Sequence, residues 1–131
     1  GDTLKFSVAS NNRTAKLTLD GSGNGTFTGN VTAYSDERLK SDIETLDGSK
    51  VLEMRGVSYT RDGVAGSGVI AQELEQVASE LVHTADDDMG TKSVAYANLT
   101  GYLIEAVKMQ AKQIAELQQA IEELKDGSNE E

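Results

Sequence analysis

The chain has no cysteine and a single histidine, His83. The first absence excludes disulfides and thiolate metal centres, and the second leaves a histidine-based zinc site within one chain short of ligands. Large aromatics are scarce: of 131 residues, two are Phe, four are Tyr and none is Trp, and 37% are hydrophobic. One copy can therefore build only a thin core, and small single cores are marginal, so association of several copies is expected to supply the missing burial. No apolar run approaches the roughly 18 residues of a membrane span, and no basic-then-apolar leader is present. Positive charge is short as well, with 12 basic against 22 acidic residues and a net charge of -10. That balance repels phosphate backbones and anionic lipid, so neither nucleic acid nor a membrane surface is an expected partner. The glycines at 21–25 and 66–68 are not followed by Gly-Lys-Ser or Gly-Lys-Thr, so no phosphate loop is expected, and no cofactor.

What is present changes character at Tyr34-Ser35-Asp36-Glu37-Arg38-Leu39-Lys40-Ser41-Asp42-Ile43. Before this stretch, apolar residues alternate as in strands: Leu4, Phe6 and Val8, then Ala15, Leu17 and Leu19, then Phe27 and Val31. Turn formers separate them at Ser10-Asn12 and Asp20-Gly25. After it, Ser41 with Glu44 fits a capping box, and Ser49 fits the cap of a short helix over Val51, Leu52 and Met54. Val57–Thr60 and Gly68–Ala71 read as strands about the turn at Arg61-Asp62-Gly63. Leu74, Val77, Ala78 and Leu81 lie on one face of a helix over Gln72–Val82, and Val82–Thr84 with Ser93–Tyr96 reads as a second hairpin. The expected class is α+β.

Asn98 fits the N-cap of a last helix reaching about Lys125, on the order of 40 Å long. A heptad places Thr100, Val107, Ile114 and Ile121 at a, and Leu103, Gln110, Leu117 and Leu124 at d. Ile at a with Leu at d favours two strands, whereas small or neutral flanking residues such as Ala106, Ala111 and Ala120 leave room for a third. The pattern leaves dimer and trimer open. Asp126–Glu131 reads as a solvated acidic tail.

Ser35 and Lys40 are the one nucleophile and base pair that the chain offers. A serine hydroxyl attacks a carbonyl only if its proton is taken, and a lysine takes it when desolvation or a nearby cation, here Arg38, favours its neutral form. The competing reading is that Ser35 caps a turn and Lys40 is solvated. Asp86-Asp87-Asp88 lacks the bidentate Glu of a calcium loop and reads as a solvated turn, and His83 has no catalytic partner in sequence, so no metal site is expected.

Three ordered segments carry a resemblance: Ser35-Asp36-Glu37-Arg38-Leu39-Lys40-Ser41-Asp42-Ile43, Gly68-Val69-Ile70-Ala71-Gln72-Glu73-Leu74, and the terminal heptad from Tyr96 to Leu124. Together they resemble the intramolecular chaperone domain, peptidase family S74, of bacteriophage tail fibres and tailspikes. The resemblance implies residues 1–34 as the end of a fibre's β structure, 35–97 as the globular part of the chaperone, and 98–131 as its coiled-coil helix and tail. It implies a homotrimer, with Leu103, Val107, Gln110, Ile114, Leu117, Ile121 and Leu124 at the interface and the upstream fibre of the same chain as partner. It also implies a single-turnover serine endopeptidase that cuts itself between Tyr34 and Ser35, with Ser35 as nucleophile and Lys40 as base. The mature fibre would then reside in the virion tail, and the chaperone would act in the host cytoplasm during assembly. A non-cleaving trimerisation and capping module of a fibre is the alternative. Where many members carry a Pro before Glu80-Leu81-Val82, this chain has Ala78-Ser79.

Overall fold

The computed structural model describes residues 2–7 and 15–129, so Val8, the turn at 10–12 and the last two residues of the tail lie outside the described residues. The chain is α+β, with several small sheets and a long C-terminal helix. It divides into two compact units, Gly1–Ile43 and Glu44–Glu131.

The first unit holds a three-stranded antiparallel sheet in the order β1 (Leu4–Phe6), β2 (Leu17–Leu19), β3 (Gly25–Phe27). The alternation of apolar residues fixes the register: Leu4 lies opposite Leu19, Phe6 opposite Leu17, and Leu17 opposite Phe27. Five apolar side chains thus occupy one face, and even the phenylalanines are 50% exposed. The β2–β3 turn is built by Asp20, whose carboxylate accepts from the Ser22 and Asn24 backbone N–H groups and from the Asn24 amide, each at 2.9 Å. Gly23 takes φ +83° there. The capping box at Ser41 and Glu44 does not form. Residues 41–47 lie in no helix, and Asp42 sits at φ 52°, outside the space a helix start requires.

In the second unit, Asp47 rather than Ser49 caps the short helix, a 3-10 segment over Gly48–Glu53, because its carboxylate already accepts the Ser49 N–H at 2.9 Å and hydroxyl at 2.6 Å. Strands β4 (Val57–Arg61) and β5 (Val64–Gly68) form a hairpin. Asp62 at φ 52° and Gly63 at φ 79° make the two-residue turn that matches strand twist. Pairing therefore begins at Val64, earlier than the strand expected at Gly68–Ala71, and Ala71 instead opens helix α1 (Ala71–Glu75).

The longer helix expected over Gln72–Val82 is interrupted. Ala78 leaves helical space at φ -144°, ψ 76°, and a 3-10 turn over Ser79–Leu81 follows. The break lets the Leu81 carbonyl accept the Ala95 N–H at 2.8 Å and so extend the hairpin of β6 (Val82–Thr84) and β7 (Lys92–Val94). Leu74, Ala78 and Leu81 still face the core. A 3-10 turn over Tyr96–Asn98 runs straight into α2 (Leu99–Asn129), which places Asn98 inside the turn rather than at a cap.

Helix α2 organises this unit. Tyr102, 3% exposed, packs on Leu74, Ala78 and Leu81, and Ala106 is buried one turn later. The 3-10 segment lies so close to α2 that a Cβ on Gly48 would meet the Ala106 nitrogen and the Glu105 carbonyl carbon at 2.4 Å. The Tyr102 hydroxyl donates a short hydrogen bond to Glu80, which holds the Glu80 carboxyl below its ordinary value and pushes Tyr102 up to about 12. Past Met109 every described side chain of α2 is exposed.

Two outcomes test this packing. Gly48→Ala must displace one backbone from another and is expected to cost about 1–3 kcal/mol, whereas Gly56→Ala, with nothing within 4 Å of its added Cβ, should be close to neutral; equal melting temperatures would sink the account. For Tyr102, a folded value raised from 10.0 to about 12 means stability that is present below pH 10 and lost as pH rises toward 12. The depressed Glu80 contributes stability above its ordinary value of 4.5 that is lost as pH falls below it. Thermal unfolding of wild type should fall more steeply over pH 10–12 than that of Tyr102→Phe, and parallel curves would contradict the linkage.

Candidate functional site

Residues 31–36 carry no regular structure up to Asp36, whose φ of -63° and ψ of 133° make it the N-cap of a single 3-10 turn, Glu37–Leu39. Asp36 Oδ1 accepts the Arg38 N–H at 2.8 Å, the Asp36 carbonyl accepts the Leu39 N–H at 3.0 Å, and the Glu37 carbonyl accepts the Lys40 N–H at 3.0 Å. One turn of 3-10 helix rises only about 6 Å. It thereby folds Lys40 back, and its Nζ donates to Ser35 Oγ at 2.6 Å.

Both side chains are exposed, and Tyr34 is 97% exposed. Tyr34, Asp36, Arg38 and Leu39 line an open depression of about 390 Å³. Arg38, the expected cationic neighbour of Lys40, is instead committed to Asp36: its Nε donates to Oδ1 at 3.0 Å and its Nη2 to Oδ2 at 2.7 Å. The guanidinium and the Arg38 N–H hold the Asp36 carboxyl below the usual carboxylate range. A hydroxyl on the residue after a peptide bond can attack that bond's carbonyl, so Ser35 is placed to open the Tyr34–Ser35 bond if its proton can leave. The lysine is the donor in this arrangement, and the attack needs the reverse polarity.

Residues singled out elsewhere serve the fold. Asp87 accepts the Thr91 N–H at 2.8 Å and closes the β6–β7 turn, where Gly90 takes φ 60°. His83 is exposed on β6 opposite Ser93. The segment Gly68-Val69-Ile70-Ala71-Gln72-Glu73-Leu74 closes β5 and opens α1: a Cβ on Gly68 would meet the Tyr96 hydroxyl at 2.5 Å, Leu74 is 2% exposed, and Glu73 pairs with Arg55 at 2.6 Å. Beside it lies a depression of about 470 Å³ lined by Tyr59, Arg61, Ile70, Gln72, Lys92 and Tyr96 among others. In α2 the heptad residues Leu103, Val107, Ile114, Leu117, Ile121 and Leu124 are 50–75% exposed, and Thr100 and Gln110 are exposed with them.

Residues 35–83 match the family described as chaperone of endosialidase, Peptidase S74. The chain carries a chaperone-of-endosialidase domain. Over a longer span it is similar to the long tail fiber protein Gp37 of Salmonella phage S16, 31% identical over 139 residues that cover 92% of this chain and 18% of that protein. The Gp37 proteins of Enterobacteria phages K3 and T2 are each 31% identical over 100 residues, 68% of this chain and 8% of theirs. The chain thus spans less than a fifth of the length of these relatives. The match begins at Ser35, the residue whose hydroxyl Lys40 contacts, and ends at His83, so the heptad of α2 lies beyond it. Sequence reasoning overlooked the fork between Asp36 and Arg38. The signal was present, since an Asp just before a short turn is a strong cap, with an Arg two residues on.

Proposed function

We propose that this chain is the end of a phage tail fibre joined to an intramolecular chaperone that brings three copies into register and then releases itself by cutting between Tyr34 and Ser35. Residues 1–34 are fibre, 35–97 the globular chaperone and 98–131 its coiled coil; the fibre goes to the virion tail, and the chaperone acts in the host cytoplasm. The observation that carries the reading is the 2.6 Å contact of Lys40 Nζ with Ser35 Oγ, on the residue that follows the bond to be cut.

The reaction is a transfer within one chain. Ser35 Oγ attacks the Tyr34 carbonyl carbon while its proton passes to a neutral Lys40, the C–N bond breaks, and the Ser35 nitrogen takes that proton from Lys40 and leaves as an amine. Water then opens the resulting ester, leaving a carboxylate on Tyr34 and restoring the Ser35 hydroxyl. Pre-orientation contributes much of the rate, because nucleophile and carbonyl are joined covalently. Lys40 has to be neutral to act, and burial favours the neutral amine. Assembly supplies that burial, so cutting follows trimerisation.

Trimerisation rests on the bare heptad stripe of α2 and on the uncovered sheet face of β1–β3. The exposure of Ser35 and Lys40 favours the alternative, a trimerisation and capping module that does not cut.

Two experiments separate these readings. Ile114→Asp with Leu117→Asp removes the seam and should give unfolded or aggregated chains that stay uncut; a folded native monomer by sedimentation, for wild type or variant, would remove the trimer. For the chemistry, Ser35→Ala deletes the attacking oxygen and leaves the Asp36 cap in place, so folding persists and cutting stops. Lys40→Met should fold and cut far more slowly, and Lys40→Arg should be poor, since a guanidinium stays protonated. Mass spectrometry should place the new N-terminus at Ser35. Undiminished cutting in Ser35→Ala would leave the non-cleaving module.

A further inference from the structure

We infer that the fork between Asp36 and Arg38 is the positioning device of the self-cleavage reaction, holding the 3-10 turn that sets Lys40 Nζ against Ser35 Oγ. The inference rests on the proposed cleavage between Tyr34 and Ser35. Asp36 follows the nucleophile directly, and its carboxylate engages three donors of Arg38, the backbone N–H at 2.8 Å, Nε at 3.0 Å and Nη2 at 2.7 Å. Its backbone carbonyl also receives the Leu39 N–H at 3.0 Å. Apart from the direct contact of Lys40 with Ser35, the chain between nucleophile and base runs through Asp36 and the turn that it caps.

A single 3-10 turn does not hold itself. Its hydrogen-bond geometry is poorer than that of an α-helix, and a first turn fixes several dihedrals for few bonds. The side chains of Arg38 and Asp36 are 89% and 42% exposed. Exposed ion pairs contribute little to stability, because water screens them and two side chains must be held in one geometry. A two-pronged fork nevertheless fixes orientation, which a lysine in place of the arginine cannot reproduce. The pair is therefore poorly suited to stabilising the fold and well suited to restricting where Lys40 can go. Asp36 and Arg38 touch neither the Tyr34 carbonyl nor the Ser35 hydroxyl in this arrangement; they act through Lys40 and are positioning residues.

The test follows loss of the full-length chain with time in a cell-free synthesis. Asp36→Asn together with Arg38→Gln removes the fork without changing net charge, and an amide oxygen remains to accept the residue-38 N–H. Misplacing a catalytic group by about an ångström costs on the order of 100-fold, so the double variant should cut roughly 10- to 100-fold more slowly. Its melting temperature and the midpoint of its pH–rate profile should match wild type. Asp36→Ala, which also loses the cap, should be slower still, and Arg38→Lys should fail to restore the rate. A double variant cutting within about twofold of wild type would overturn the inference. So would a rate loss that vanishes when the assembled protein is held well below its melting temperature, because the pair would then be merely structural. Ser35→Ala, run in parallel, keeps the two claims apart: if it still cuts, the dyad reading fails, whereas if it alone stops while the fork variants cut normally, only the positioning role fails.

Discussion

Helix α2 carries two apolar stripes, and among the described residues only one is packed against the rest of the chain. Leu99 and Tyr102 pack on the small core that Leu74, Ala78 and Leu81 build, and Ala106, one turn on, is buried beside Gly48. Leu103, Val107, Ile114, Leu117, Ile121 and Leu124 form a second stripe at heptad spacing that remains in water. The first stripe decides much of the local structure around it. Gly48 has no side chain because the backbone of α2 fills the space a Cβ would need, and Ala78 breaks the preceding helix so that Leu81 can both enter the core and pair with Ala95. A core of this size is marginal by itself, so the second stripe defines what the chain still lacks.

Where the sequence was legible, the deciding interactions are local. Asp62-Gly63 specifies a two-residue hairpin through its own φ values, the heptad shows through its period, and alternation in residues 4–27 shows through the register of β1–β3. Ser35 and Lys40 are five positions apart, and one turn joins them. Of the expectations that failed, some were settled by the backbone close by and others by partners distant in sequence. Ser41 and Glu44 have the right spacing for a capping box, yet Asp42 adopts a left-handed conformation between them. The stretch Gln72–Val82 has a helical apolar period, yet pairing between β6 and β7 demands an extended chain from Val82 onward. Tyr102 and Glu80 stand 22 residues apart, and nothing in their local patterns announces the bond that joins them.

Ser35 and Lys40 are solvent-exposed, and the proposed chemistry makes two demands on them, proximity and proton transfer. Proximity is already present at 2.6 Å. Proton acceptance is a separate demand, because the lysine donates in this contact. Under the proposed cleavage, burial of Lys40 on assembly is the step that favours a neutral amine and so couples cutting to trimerisation.

Magnitudes show why such a chain would need more than its coil to assemble. Fully burying an aliphatic side chain contributes about 1.5–3 kcal/mol. The six seam aliphatics are 50–75% exposed, so covering them is worth on the order of 5–13 kcal/mol per chain by the same scale. Association costs about 4–15 kcal/mol in lost freedom before side-chain ordering. The seam alone is therefore close to break-even, and the apolar face of β1–β3, with both phenylalanines half exposed, is the natural second contribution. While both surfaces lie on one chain, engagement of either raises the effective concentration of the other. Under the proposed cleavage between Tyr34 and Ser35 that linkage ends: the sheet remains with the fibre, the seam remains with the chaperone, and each must hold its partners unaided. After such a cut the coil would keep only its six seam aliphatics for association, and the sheet only its one apolar face.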